Sequence, residues 1–553
     1  MAVTLKFNFV EIKNRMTKII LFTSVLVVAV FTVAYLYFSN LSAGSRNIDQ
    51  ALSQIPNDAA LVFEINNDQS IYDIFSDYQL FNALIGKQKQ EEILLLKSLL
   101  VTTSEIFQKT EGQNMYLSFH PKNDSVALLW IMPLPEEVEP GVIAEALATN
   151  RNMVLKKTDF EQTAIYELFF PTIKRTFFLH IDANFICGSY SKNLFKDALN
   201  NKIPKISHAL IEEINQANSQ NQNSPASLFV NFKGSIPYLQ NFFKNNLNGN
   251  FELLNNFNAI APLSMNFKSD ALVFTGSTVT DTSKQNYFNL FLKQKAIKNT
   301  IKRVVPDNTA NFISYGVSNY HEFHEGLLSL FKLRKEFDKL DGVLTKIRDE
   351  SGISADRDLK KLWANEFITF QLSTQEKYAA IQLKNGRQMQ FFMEPLSSRY
   401  SEEIWHIDYP GLFYYYFGDG LKQFNKPFYA ILDNQMILSN SPGSIQRYLN
   451  RYSHNSLFTN TDFVHFDKLV GDQSNISIFI HNQNSASNIK SLLRPAYADV
   501  FSNPEFGFKN FYGLSYQWSS DGNRFFTTFY TGYNQNLIVD DKTTIPDSLS
   551  INN

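Results

Sequence analysis

Residues 55–63 read Ile-Pro-Asn-Asp-Ala-Ala-Leu-Val-Phe, and residues 305–313 read Val-Pro-Asp-Asn-Thr-Ala-Asn-Phe-Ile. Each stretch begins with an apolar residue, a proline and an Asn/Asp pair, and then continues into a more apolar run. The proline stiffens the chain where a strand begins, and the Asn/Asp pair is typical of a turn. The two stretches start 250 positions apart, so the chain contains one strand-opening motif twice.

Three further blocks return in the same order. The pairs are 114–119 with 365–370, 182–186 with 433–437, and 227–231 with 477–481, at shifts of 250 or 251 positions. A period of this length far exceeds that of solenoid repeats, so it indicates duplication of a whole domain. We therefore predict two tandem modules, residues 51–298 and 299–534. Equivalent residues should be Pro56 with Pro306, Asn114 with Asn365, Asp182 with Asp433, and Phe229 with Phe479.

Each module also contains a turn followed by a helix start. Residues 182–184 (Asp-Ala-Asn) and 433–434 (Asp-Asn) separate apolar runs, which is typical of tight hairpin turns. Ser191 and Ser441 follow, and serine can cap the free N–H groups of a first helical turn. We expect a short helix to begin near each serine.

The predicted fold class is α+β, because hairpin turns join many strands and a regular strand-helix-strand alternation is missing. In the first module, strands are predicted at 61–65, 115–119, 126–132, 177–181, 185–187, 228–232 and 272–279, and helices at 71–75 and 91–106. In the second, strands are predicted at 367–372, 378–383, 428–432, 436–439, 476–480, 513–518 and 525–530, and helical structure at 320–347. Residues 215–225 are rich in Asn, Gln and Ser and predict an exposed loop.

A membrane anchor is predicted before the modules. The run from Ile19 to Phe38 holds twenty residues without a charge, which is long enough to cross a bilayer as a helix. Residues 1–18 are basic, so they are expected in the cytoplasm, with the rest of the chain outside. Residues 39–50 are interpreted as a tether and residues 535–553 as a flexible tail. The alternative is a cleaved signal peptide, with small residues at 42–44 as the cleavage site.

Composition excludes some classes of protein. Lys and Arg number 51 against 53 Asp and Glu, and no long basic cluster occurs, so nucleic-acid binding has no electrostatic support. Cys187 is the single cysteine, so no internal disulfide forms. It lies in an apolar strand, where a small buried side chain is the expected role.

The strongest candidate for chemistry is the cluster His321, His324 and Glu325. On a helix the two histidines would share a face, and three such groups can hold zinc. The spacing misses the His-Glu-x-x-His motif by one residue, and the other module has Ile71 and Ile74 at these places. We therefore expect no metal there and name no catalytic or cofactor-binding residue.

Two other sites were weighed. The aromatic run 412–417 can stack on a glycan or lipid, but a strand with aromatic residues on both faces is the favoured interpretation. His406 and Asp408 can pair for acid–base chemistry, although a lone His-x-Asp carries little weight. No Gly-rich phosphate loop or Gly-x-Ser-x-Gly elbow occurs.

The repeated Pro-Asn/Asp opening and the turn-helix unit resemble those of bacterial envelope proteins with one N-terminal membrane anchor and a large ectodomain of unknown function. The resemblance implies a bacterial cell-envelope setting and transfers no catalytic residue. With the predicted anchor, the expected location is the inner membrane, with a single pass and a periplasmic ectodomain. The expected function is a non-enzymatic scaffold or binding protein with an envelope protein or lipid partner. The alternatives are an envelope hydrolase whose site forms only in three dimensions, and a carrier of lipids or hydrophobic ligands.

Overall fold

The structure, a computed structural model, describes residues 47–66, 110 and 112–533. Within the last range, residues 123–124, 136–138, 150–152, 161–162, 221–223, 245–252, 254–256, 269–270, 284–285 and 499–510 are not described. The fold is α+β with antiparallel strands, as predicted. None of the helices in these ranges is both long enough and apolar enough to span a bilayer. The predicted anchor, the predicted helices at 71–75 and 91–106, and the tail lie outside the described residues.

Strands dominate the described residues. The first half contains β1 Leu61–Asn66, β2 Asn114–Lys122, β3 Ser125–Pro133, β4 Val154–Phe160, β5 Thr163–Phe170, β6 Arg175–Ile181, β7 Phe185–Ser189, β8 Ala226–Asn231, β9 Ala259–Lys268 and β10 Ala271–Thr280. The second half contains β12 Thr309–Gly316, β13 Trp363–Leu372, β14 Lys377–Leu383, β15 Ser397–Arg399, β16 Trp405–Ile407, β17 Phe428–Leu432, β18 Gln435–Ser439, β20 Ile476–His481, β21 Phe511–Ser520 and β22 Phe525–Tyr533. A separate short pair is β11 Ile297–Lys298 with β19 Gln473–Ser474.

The helices lie between these strands in the chain. They are α1 Pro140–Ala148, α2 Lys192–Leu199, α3 His208–Gln220, α4 Phe232–Gln240, α5 Tyr320–Leu333, α6 Phe337–Ser351, α7 Gly386–Met393, α8 Leu412–Phe417, α9 Pro442–Asn450, α10 Thr461–Val470, α11 Asn482–Leu492 and α12 Pro495–Ala498. Helix α2 begins where predicted, and the Ser191 hydroxyl accepts from the Leu194 N–H. Helix α9 also begins where predicted, but Ser441 makes no side-chain cap.

Twenty strands form one continuous sheet. Followed through its hydrogen-bonded neighbours, the order is β4-β5-β6-β7-β3-β2-β1-β8-β9-β10 and then β22-β21-β20-β12-β13-β14-β18-β17-β16-β15. The second ten strands repeat the connectivity of the first ten in reverse spatial order.

The two halves meet at their last strands. Strand β10 pairs antiparallel with β22, and Thr275 lies opposite Thr528. The hydroxyls of Thr278 and Thr527 are hydrogen-bonded at 2.7 Å in the buried seam. Because the backbone groups of both strands are used in this pairing, neither half presents a free sheet edge at the seam.

The two strand-opening stretches make the same contacts. Pro56 forms a bridge with Lys205, and Pro306 forms one with Ser456. The Ile206 N–H donates to the Ile55 carbonyl at 2.9 Å, and the Leu457 N–H donates to the Val305 carbonyl at 2.7 Å. The strands that follow also pair alike. Val62 lies opposite Phe229, and Phe312 lies opposite Phe479.

Two of the four predicted equivalences are one residue out. Strand pairing places Asn114 opposite Asn66 and Glu366, rather than Asn365, opposite Gly316. A bulge between Thr309 and Asn311 interrupts the β12–β13 register. The β17–β18 hairpin closes with Leu432 opposite Gln435, whereas Asp182 closes the first hairpin against Phe185. Asp182 therefore corresponds to Leu432.

Several local predictions were wrong. The run 412–417 is helix α8 with five buried side chains, because a φ of +78° at Gly411 turns the chain into it and the aromatic residues fill the core. Residues 208–220 form α3, so the first part of the predicted loop 215–225 is helical. The end of the predicted tether is also folded, since residues 47–52 are helical and the buried Asn47 donates to the Leu134 carbonyl at 2.8 Å. Strands β4, β5 and β9 were not predicted, and neither were the short strands β11, β15, β16 and β19.

The three largest apolar clusters among the described residues each pack helices against the sheet. One packs α2 and α3 onto the strands of the first half, and a second packs α9 and α10 onto those of the second half. The third includes β10, β21 and β22, so it crosses the seam. It also contains α5 and α8, which places the aromatic run 412–417 in this core.

Candidate functional site

A line of polar side chains runs through the core of the first half. Residues 116, 118 and 120 alternate along β2 and therefore point to one face of the sheet. Glu64 on β1 lies opposite Tyr116 on that face. We call this group the polar stripe, and its members are Asp58, Glu64, Asn114, Tyr116, Ser118 and His120. Tyr116, Ser118 and His120 are fully buried.

One end of the stripe is a chain of three side chains. His120 Nδ1 lies 2.6 Å from Asp58 Oδ1, and His120 Nε2 lies 2.9 Å from the Ser118 hydroxyl. With the Nδ1–H donating to the carboxylate, Nε2 accepts the hydroxyl proton of Ser118. These are the contacts of a Ser-His-Asp hydrolase site.

The exposed and buried ends of this hydrogen-bonded group are reversed relative to such an enzyme. In a Ser-His-Asp hydrolase the serine meets the substrate and the carboxylate is buried behind the histidine. Here the Asp58 side chain is 38% exposed, whereas Ser118 is 0% exposed. The Ser118 hydroxyl also approaches the Leu129 carbonyl at 3.4 Å. The arrangement connects the surface to the core and does not present a nucleophile.

The other end of the stripe holds a buried carboxyl group. The Asn114 side-chain amide donates to Glu64 Oε1 at 2.7 Å. The Asn218 amide on α3 donates to the Tyr116 hydroxyl at 3.1 Å, and both side chains also hydrogen-bond to Glu64. Burial raises the pKa of Glu64 to about 7 despite these hydrogen bonds. Burial likewise holds the pKa of Tyr116 well above 10.

The second half has different residues at the matching places. Ser314 on β12 lies opposite Ile368, where the first half has Glu64 opposite Tyr116. Phe312 lies opposite Phe370, where the first half has Val62 opposite Ser118. The same face of the second half keeps two buried polar residues, Ser314 and Glu366, and Glu366 accepts from the Thr300 hydroxyl and the Ile301 N–H. Apolar residues replace Tyr116 and Ser118 of the polar stripe, whereas Glu366 replaces Asn114.

The predicted metal candidates do not converge. His321 is 71% exposed and lies 3.4 Å from Glu325 one helical turn away. His324 is 0% exposed and packs between the rings of Tyr320 and Tyr415. Burial lowers the pKa of His324 to about 3, so its ring is neutral at pH 7. Among the described residues, no group of three or more His, Cys, Asp or Glu side chains could hold a metal ion.

The remaining candidates have structural contacts. His406 Nδ1 is 4.0 Å from Asp408, a distance at the outer limit for an ion pair and too long for a hydrogen bond. His406 packs on the ring of Phe428, and Asp408 accepts from the Ser398 hydroxyl at 2.8 Å. Cys187 is buried as expected, and burial raises its pKa to about 12. A thiol with this pKa is a poor nucleophile at neutral pH.

Sequence reasoning missed the polar stripe. Tyr-x-Ser-x-His at residues 116–120 alternates as the solvent face of a half-buried strand would. The helix that buries this face comes about a hundred residues later, so no local pattern reveals the burial. Comparison of the two modules by sequence did not reveal it either, because the alignment matched Tyr116 with Phe367 and Ser118 with Thr369. Only the strand register places Ile368 and Phe370 at these positions.

The comparisons with known proteins leave the chain without a family. No family model matches it, and no curated protein matches it. Among solved structures, crystal form III of TP0453 aligns at 13% identity and covers 44% of this chain and 84% of its own, with a TM-score of 0.25. Crystal form I of TP0453 aligns at 14% identity and covers 45% of this chain and 87% of its own, with the same TM-score. At that TM-score the likeness carries no argument about fold or function.

Proposed function

We propose that this chain is a non-enzymatic scaffold or binding protein of the bacterial envelope, anchored in the inner membrane and built from two copies of one α+β module. The observation that carries the proposal is the twenty-stranded sheet, whose two ten-strand halves have the same connectivity and meet at their last strands. One sheet thus joins two sets of strands with the same connectivity, as duplication of one module would produce. The partner is an envelope protein or a lipid.

The module copies are residues 51–298 and 299–534. Support comes from the Pro56 and Pro306 bridges and from the Val62–Phe229 and Phe312–Phe479 pairs. The folded segment before residue 51 extends the first copy toward its amino end.

The scaffold proposal is tested by purifying the full chain from cross-linked membranes and identifying bound proteins and lipids. A partner present in stoichiometric amount, and retained by Ser118→Ala, is the expected result. Turnover of an envelope substrate by the wild type, lost in Ser118→Ala, would overturn the proposal.

A hydrolase is the second candidate, because Ser118, His120 and Asp58 form an unbroken hydrogen-bonded chain. A fluorophosphonate probe distinguishes it, since the probe reacts with activated serines. The buried hydroxyl of Ser118 should give no labelling in the native protein. Labelling of the native wild type that disappears in Ser118→Ala would favour the hydrolase.

The anchor belongs to the same proposal, and its basis is the uncharged run from Ile19 to Phe38 after a basic segment. Alkaline phosphatase fused after Asn553 should be active, and deletion of residues 19–38 should abolish that activity. A fusion that is inactive in the full chain would refute the orientation. Amino-terminal sequencing separates an anchor from a cleaved signal peptide.

A further inference from the structure

Strand β4 forms one outer edge of the twenty-stranded sheet, and β15 forms the other. Among the residues that the structure describes, β4 pairs with β5 alone. It has seven residues, whereas β15 has three, so β4 is the longer edge. The outer side of an edge strand carries a row of backbone N–H and C=O groups, which is a template for one more strand.

Packing on both faces holds β4 on the sheet. On one face Phe160 packs with Ile165 of β5 and Phe195 of α2. On the other face Leu155 packs against the cluster that contains Leu168. The strand is therefore formed before any partner arrives, and docking does not have to fold it.

The sequence of β4 is self-complementary around Thr158. Two copies of β4 can pair antiparallel around a two-fold axis, with Thr158 of one copy opposite Thr158 of the other. Lys157 of each copy then lies opposite Asp159 of the other copy, and Lys156 lies opposite Phe160 on the second face. Opposite charges are favourable cross-strand pairs, and a cation near an aromatic ring adds a further attraction.

The side chains that would make these pairs are available. Lys157 and Asp159 are exposed, and neither forms an ion pair within the described part of the chain. Lys157 lies 5.9 Å from the centre of the Tyr166 ring. The Thr158 hydroxyl is buried and has no hydrogen-bond partner among the described residues. A second Thr158 across the axis would supply one, since threonines opposite each other on paired strands can hydrogen-bond.

The seam between the two halves already shows this kind of pairing. Ser227 of β8 and Ser477 of β20 are equivalent residues of the two halves. Two strands further on, the rows that start from them reach Thr275 of β10 and Thr528 of β22. These two threonines lie opposite each other in the seam. The halves thus meet through equivalent strands that pair antiparallel around a pseudo-two-fold axis, with threonine opposite threonine.

We propose that β4 is the docking surface for a second copy of this chain, whose own β4 pairs with it antiparallel around Thr158 and extends the sheet. The same surface is used by both copies, so the assembly closes at two chains. The other edge, β15, reads Ser-Ser-Arg and does not repeat the Lys-Thr-Asp pattern of β4. The association is independent of the envelope partner proposed above.

Sedimentation velocity of the full chain in detergent, over a range of concentrations, tests the proposal. The wild type should dimerise. Asp159→Lys should raise the dissociation constant at least about tenfold, because two attractive cross-strand pairs become repulsive. Lys157→Asp combined with Asp159→Lys restores both pairs with the charges exchanged, so this variant should dimerise like the wild type. The control Glu145→Lys makes the same charge change at an exposed site on α1 and should leave the dimer unchanged.

Cysteine cross-linking tests the register. Thr158→Cys should form a disulfide between chains under mild oxidation, because opposed Cα atoms of paired strands lie about 4.5–5.5 Å apart, within disulfide range. Lys156→Cys should not, since its twin would lie roughly 14 Å away along the strand. A monomeric wild type, a dimer that Asp159→Lys leaves unchanged, or equal cross-linking of both cysteine variants would overturn the proposal. If Thr158→Cys fails to fold, the exchange of charges between Lys157 and Asp159 still decides.

Discussion

The buried ion pair of the second half can be exchanged for the apolar pair of the first half. Lys302 Nζ lies 2.8 Å from Asp467 on α10, and their side chains are 2% and 20% exposed. The Val305 N–H donates to the Lys302 carbonyl as the Ile55 N–H donates to that of Leu52, so Lys302 corresponds to Leu52. The caps of α3 and α10 also match, because Ser207 accepts from the Leu210 N–H as Asn460 accepts from the Phe463 N–H. Asp467 therefore stands at the position of Ile214. The change to make is therefore Lys302→Leu together with Asp467→Ile.

The expected free energies follow from burial. Asp467→Ile alone leaves the ammonium group of Lys302 buried without its partner, which costs about 3–5 kcal/mol. Lys302→Leu alone should cost less, because the partly exposed Asp467 retains water. The double variant removes both charges and restores a pair that the first half already packs, so it should equal the wild type or exceed it by about 1–4 kcal/mol. The two substitutions are thus expected to be strongly non-additive.

Urea unfolding followed by tryptophan fluorescence measures these changes, because three of the four tryptophans lie in the second half. The same two substitutions in reverse, Leu52→Lys with Ile214→Asp, are the matched control in the first half and report how well its core accepts an ion pair. A loss below about 1 kcal/mol for Asp467→Ile would contradict the reasoning. So would a double variant less stable than either single one.

Three further outcomes are expected. The folded state binds the Glu64 proton more tightly than the unfolded chain, so wild-type stability should fall by about 3 kcal/mol as pH rises from 4.5 to about 7; a Glu64→Gln variant that shows the same fall in urea titrations would contradict this. Gly276→Ala should lower the free energy of unfolding by about 1–3 kcal/mol in thermal denaturation, because a Cβ there would lie 2.0 Å from the Pro262 carbonyl oxygen. The control Gly141→Ala places its Cβ in open space and should stay within about 0.5 kcal/mol of the wild type. Cys187 should resist maleimide at pH 7.5 until the protein is unfolded, since it is buried with a pKa of about 12, and rapid native labelling would show that the strand opens.

The longer strands of the second half were predictable because their apolar residues alternate and turn residues separate them, whereas the three-residue strands β15 and β16 were not predicted. Residues 428–432 were predicted and found as strand β17 without change. The six-residue run at 412–417 was not predictable by the same reasoning, since aromatic residues have high strand propensity but also fill a core from a short helix. A positive φ at Gly411 and burial against α5 and α6 decide for the helix, and neither is visible in the local sequence.

Register was less predictable than strand position. Aligning sequence blocks by identity matched Asn114 with Asn365 and Asp182 with Asp433, and hydrogen bonding moves each match by one residue. The bulge at the start of β12 accounts for the first shift, because it adds a residue to one strand of the pair. The second shift arises at the hairpins, because Asp182 closes the first hairpin against Phe185, whereas Leu432 closes the second against Gln435. Identity at a turn is thus weaker evidence of equivalence than the strand pairing on either side.

The candidate site was the least predictable part, because its meaning depends on both halves together. The first half has a polar link between sheet and helix at Glu64, Tyr116 and Asn218, and apolar packing between Leu52 and Ile214. In the second half the residue types are exchanged, because the charged pair Lys302 and Asp467 stands at the places of Leu52 and Ile214. The apolar Ile368 stands at the place of Tyr116. During folding, two halves with the same connectivity can exchange helices, which is a known hazard of repeated domains. Seating α3 on the second half would bury Lys302 against Ile214 without a partner, and seating α10 on the first would leave the Glu64 and Tyr116 polar groups unmatched. Both exchanges bury polar groups without partners and are disfavoured by several kcal/mol each, so the divergence of the polar links favours the pairing of each helix with its own sheet.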